Sequence, residues 1–73
     1  MNIHNLGIYC TIEASQEVFD RVAGTFIVQE GSDYKVLVAS DTARAWLSDL
    51  LDVDDFWLDT DCSFYRIRLL KEN

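Results

Sequence analysis

Asp59, Asp61 and Ser63 stand at positions 1, 3 and 5 of the loop with which EF-hands bind Ca²⁺. Phe64 falls where that loop needs glycine for its sharp turn, and Leu70 where a bidentate glutamate must close the coordination shell. No dedicated metal site is therefore expected, and the carboxylates are left with weak surface contact to Ca²⁺ or Mg²⁺. Catalysis has less support. His4 is the only histidine, and no nucleophile is tied to it by a recognisable spacing. Cys10 falls on the inward side of a predicted strand, where thiols are usually inert, and Cys62 lies among acidic residues, a poor setting for a reactive thiolate. Phosphate-binding glycine loops are absent. The chain is expected to be non-enzymatic and to need no cofactor.

What remains as potential chemistry is charge beside aromatic surface. Six aspartates, Asp49, Asp52, Asp54, Asp55, Asp59 and Asp61, fall within thirteen residues, and no Lys or Arg occurs from Ala45 through Tyr65. Phe56 and Trp57 lie inside this run. An aromatic anchor ringed by charge is a common construction for an interface hot spot, so Trp57 and the six aspartates are the candidate partner-binding residues. The competing assignment places Phe56 and Trp57 in the core beside the preceding helix. Trp46 is expected in the core.

The element that must position this run is the helix before it. Ala43, Trp46, Leu47, Leu50 and Leu51 match the i, i+3, i+4, i+7, i+8 spacing of an amphipathic helix, predicted over 41–52. Ser40 or Asp41 can cap its start, although Arg44 sits where a capping box wants Glu or Gln. Its end breaks a local rule. Asp49, Asp52, Asp54 and Asp55 crowd the pole where the peptide dipoles leave negative charge, which costs roughly 0.3–1 kcal/mol per exposed charge at low salt. Either the acid serves function, or Asp52 or Asp54 caps a second short turn beginning near Asp55, where acid is favourable.

Ile8, Cys10 and Ile12 alternate with Tyr9, Thr11 and Glu13, the period of a half-buried strand, with Leu6 extending the inward set. Val18, Phe19, Val22 and Ala23 suit a short helix over 15–23 stopped by Gly24, or an extended segment. Runs 25–30 and 34–39 read as a hairpin around Gly31, Ser32 and Asp33. A three-residue loop, placing Phe26 and Val28 opposite Val38 and Val36, separates apolar from polar side chains better than a two-residue Gly31-Ser32 turn. Phe56 to Leu58 suit a short strand. Tyr65, Ile67 and Leu69 alternate with Arg66 and Arg68 in a last one, whose outward arginines suit acidic residues on a neighbouring strand. The expectation is a single α+β domain over 1–73: a small, mostly antiparallel sheet with helices on one face, in a reduced ferredoxin-like βαββαβ order. The alternative is a twisted β meander carrying one helix.

Leu, Ile, Val and Phe make up 23 of the 73 residues, enough to fold despite a formal charge of −7. A core of this size supplies only roughly 3–5 kcal/mol, which keeps self-association, as a homodimer for example, in view. The charge disfavours direct binding of nucleic acid or anionic membranes and favours a protein partner with a basic surface. Two cysteines offer one bridge at most. With no leader-like N-terminus they are read as reduced thiols in a cytoplasmic protein with no membrane span.

In size, charge and the presence of an acidic stretch beside a helix, the chain resembles small inhibitors encoded by phages, including anti-CRISPR proteins and other DNA mimics. The resemblance covers composition and no motif, so no functional residue carries over from it. It implies inhibition by carboxylates that occupy the Lys and Arg of a nucleic-acid channel and gain from counterion release as DNA does. Two other functions fit the composition: a small homo-oligomeric structural or adaptor domain with a solubilising acidic face, and an antitoxin or immunity protein for a basic nuclease.

Overall fold

The computed structural model describes residues 8–58 and 61–71. Their order is β1 (Tyr9–Ala14), α1 (Gln16–Arg21), a 3₁₀ turn (Gly24–Phe26), β2 (Ile27–Glu30), β3 (Tyr34–Val38), α2 (Asp41–Leu51), α3 (Asp55–Leu58) and β4 (Phe64–Leu69). This is an α+β domain in βαββαβ order with one added short helix. Leu6 and His4 lie outside the described residues.

The sheet runs β1-β4-β3-β2, with β1 parallel to β4 and the other two pairs antiparallel. By these directions β1 and β2 run the same way at opposite edges, and α1, packed against β1 and β4 and reached by Lys35 of β3, lies on the connection between them. One row of neighbours, Cys10, Tyr65, Leu37 and Ile27, and the next, Ile12, Ile67, Lys35 and Glu30, face the helices. Into these rows pack Phe19 and Val22 from the α1 region, Ala43 and Leu47 from α2, and Leu58 from α3. Leu37, Leu47 and Ile67 are completely buried at the centre. The second face carries the rows Tyr9, Phe64, Val38; Thr11, Arg66, Val36, Gln29; and Glu13, Arg68, Tyr34.

Both longer helices start on serine. The Ser15 hydroxyl accepts from the Val18 N–H at 3.3 Å, and the Ser40 hydroxyl from the Ala43 N–H at 3.1 Å. Asp41 in the first turn pairs with Arg44 at 3.0 Å, so the arginine that spoils a capping box finds a partner within the helix. The end of α1 is set differently from the expectation. Gly24 is not a left-handed cap: it opens the 3₁₀ turn, and Val22 leaves α1 in extended backbone. A lysine from the sheet completes that end, Lys35 Nζ donating to the Phe19 carbonyl at 3.2 Å while lying 4.7 Å from the Phe19 ring centroid.

Three expectations are corrected. The hairpin loop is Ser32-Asp33, with Gly31 and Tyr34 closing it through the Gly31 N–H and the Tyr34 carbonyl at 2.9 Å. Next to it Glu30 faces Lys35, and an irregularity at Val28 then restores the expected register, Ile27 opposite Leu37. One extra residue in β2 satisfies both the turn and the apolar pattern. Gly31 is required for space, since a side chain there would run into the Tyr34 ring. Second, Ile8 is not inward but exposed, standing just ahead of β1. Third, Cys10 and Cys62 are not free thiols: they form a disulfide, with Cα atoms 5.7 Å apart across 52 residues of sequence. Parallel pairing of β1 with β4 brings them together, and no local pattern announces that pairing.

Candidate functional site

The rule broken at the end of α2 has a structural cause. The helix turns off through Asp52, the one described non-glycine residue with positive φ (φ 54°, ψ 45°), and aspartate tolerates this left-handed conformation better than most residues. The Val53 N–H then reaches back to the Ser48 carbonyl at 3.1 Å, a Schellman-type end, and the Ser48 hydroxyl donates to the Val53 carbonyl. Two residues on, the Asp54 carboxylate accepts from the Trp57 N–H at 3.2 Å and so caps α3. Asp55 occupies the first turn of α3, where the dipole favours acid. The C-terminal pole of one helix is thus the N-terminal pole of the next. Replacing Asp54 with alanine is expected to cost about 1 kcal/mol, read as a lower urea midpoint with unchanged slope.

Residues 56–58 are therefore helical rather than the expected short strand, because the cap at Asp54 and the preceding left-handed turn start a new helix. That geometry sends the two aromatic side chains outward. Leu58 is buried, and its carbonyl accepts from the buried Tyr65 hydroxyl at 2.8 Å, which anchors the end of α3 to β4. Phe56 is 84% exposed and Trp57 57% exposed. Trp46 is half-buried at the core margin, stacked on Phe26 with ring centroids 4.9 Å apart.

Of the candidate residues, Asp52, Asp54, Asp55 and Trp57 are brought together in the α2–α3 corner, all exposed. Asp49 is exposed one turn earlier on α2, and Asp61 is exposed beside the bridged Cys62. Asp59 lies outside the described residues. Among the described residues no three of His, Cys, Asp or Glu are grouped so as to share a metal ion. The corner offers a different kind of surface: two flat apolar rings within a field of carboxylates. Phe56, the more exposed ring, was not among the candidates; its signal was the same acid on both sides that marked Trp57.

No helix among the described residues is long and apolar enough to cross a membrane. No family model, curated protein or solved structure matches this chain.

Proposed function

We propose that the chain is a non-enzymatic acidic binding protein whose α2–α3 corner docks on a basic protein surface, of the kind nucleic-acid-binding proteins present, and blocks it. One observation carries this: Phe56 and Trp57 stand exposed among Asp52, Asp54 and Asp55. Large aromatic side chains left in water beside charge are what interface hot spots are made of, since they supply area on docking while the charges steer and orient the encounter. A formal charge of −7 on 73 residues would speed association with a cationic groove and make it salt-dependent. Inhibition of the anti-CRISPR or DNA-mimic type is the most specific form of this proposal, and an immunity protein for a basic nuclease works by the same contact.

The test is capture of partners from nuclease-treated lysate with the tagged protein at low and moderate salt. A basic nucleic-acid-binding protein should be recovered and should be displaced by added DNA or RNA. Asparagine at 52, 54 and 55 removes charge while keeping both the left-handed turn and the α3 cap, which asparagine serves as well as aspartate. The triple variant should lose binding without unfolding, and Trp57→Ala should weaken it roughly 30-fold, the effect of a hot spot near 2 kcal/mol. If neither change affects any partner interaction, the proposal falls.

Self-association is the second reading, favoured by β2 as an edge strand with Val28 half exposed. Light scattering that finds a monomer at high concentration removes it. A cytoplasmic setting suits a nucleic-acid-binding partner, whereas a persistent Cys10–Cys62 bridge suits an oxidising one. Thiol counting on protein rapidly alkylated in its source cells decides between them.

A further inference from the structure

The second face of the sheet holds a cavity of about 390 Å³ lined by Asp33, Tyr34, Arg66 and Arg68. It lies across the sheet from the helices, and so from α3, and its chemistry is the reverse of the corner's. Arg66 and Arg68 alternate along β4 on this face, flanked in register by Thr11 and Glu13 of β1 and by Val36 and Tyr34 of β3. Arg66 is half-buried, its guanidinium 4.5 Å from the Tyr9 ring centroid, while Tyr9 stacks on Phe64 at 5.4 Å. That stack fixes the guanidinium plane without using its N–H donors on a carboxylate. Arg68 is exposed and forms no ion pair among the described residues, although Glu13 is its register neighbour.

The Tyr34 ring, a third wall of the cavity, lies over Gly31 of the hairpin, and the hydroxyl at its tip is engaged on β2. It accepts from Gln29 Nε2 at 3.0 Å. Asp33 is the one acidic group lining the cavity among the described residues, and Lys71 lies 3.5 Å from its carboxylate, offsetting its charge. Two arginines and a tyrosine therefore line one space with a single acidic side chain among the described residues, its charge offset by Lys71. A volume near 390 Å³ falls in the range of roughly 300–1,000 Å³ common to small-molecule sites.

We propose that this cavity is an oxyanion site that binds a small molecule through a phosphate or carboxylate group held by Arg66 and Arg68. Guanidinium supplies paired N–H donors matched to such oxygens, and charge-assisted hydrogen bonds of this kind are the strong ones. The site is separate from the α2–α3 corner and stands or falls independently of it.

The test is an amide-resolved NMR titration of the full chain with sodium phosphate, and separately with sodium acetate, against sodium chloride at equal ionic strength. Saturable shifts confined to Tyr34, Arg66, Arg68 and their strand neighbours are expected with at least one oxyanion, and the more effective one identifies the ligand's group. Arg68→Gln should weaken that binding at least ~10-fold. Because Arg68 is exposed, its variant keeps the fold even if Arg66→Gln does not. Three outcomes overturn the proposal: no saturable shift with either anion, shifts spread evenly over the chain, or unchanged affinity in Arg68→Gln.

Discussion

Reduction of the Cys10–Cys62 bridge, or its removal in a Cys10→Ala/Cys62→Ala double variant, is expected to lower the melting temperature by roughly 15–30 °C. The bridge spans 52 residues of a 73-residue chain, so it constrains most of the unfolded ensemble. The chain-entropy estimate for a loop of that length is about 4 kcal/mol, comparable to the roughly 3–5 kcal/mol that a single core of this size supplies. A domain whose two halves of stability are a core and a cross-link should be marginal without either. Melts with and without a thiol reductant measure the effect directly, with the double variant as a control that reductant should not touch. Coincident melting curves would show that the bridge is absent in solution or constrains nothing.

The second large effect is expected at Leu47. Its side chain is completely buried where α2 meets the sheet, among Ile12, Leu37, Tyr65 and Ile67 of the same core. Leu47→Ala removes buried methyl groups and leaves a cavity that helices pinned by Ser40 and Asp52 cannot easily collapse, for a cost of roughly 3–5 kcal/mol. The oxidised variant should still fold with a much lower denaturant midpoint, and the reduced variant should be unfolded at room temperature. Phe56→Ala, a larger truncation at an exposed site, should change stability by no more than about 0.5 kcal/mol. A Leu47→Ala cost below about 1 kcal/mol would mean that Leu47 is not packed into the core.

The proposed docking corner is shared by α2 and α3, so the stability of both helices bears on it. Acid at this corner has two separable roles: Asp52 and Asp54 shape the backbone, and the full set of exposed carboxylates sets the surface charge. Asparagine separates them and alanine does not. A loss of partner binding on Asp54→Ala alone would reflect a disordered α3, whereas loss on the asparagine triple would reflect charge.

Much of the frame was legible from local pattern. The stripe Ala43, Trp46, Leu47, Leu50, Leu51 with Ser40 ahead of it placed α2 to within a residue. Alternation placed β1 and β4, and the outward position of Arg66 and Arg68 followed from it. Each of these depends on near neighbours in the chain, where hydrophobic period and capping act. The run 56–58 is ambiguous on its own because Phe, Trp and Leu suit strands and helices alike, and the deciding contact is the Asp54 cap.

A small acidic α+β domain, its main helix, the inward faces within β1 and β4 and the concentration of aspartate beside two aromatics follow from the amino-acid sequence alone. These are sums of local preferences and of composition. Tertiary structure alone decided that β1 pairs in parallel with β4, which joins Cys10 to Cys62, and that Phe56 and Trp57 stand outside the core while Leu58 fills it. It likewise brought Tyr34 beside Arg66 and Arg68, residues separated by half the chain. Such contacts arise between strands distant in sequence, where the free energy of burial is shared by both partners and neither one's neighbours record it.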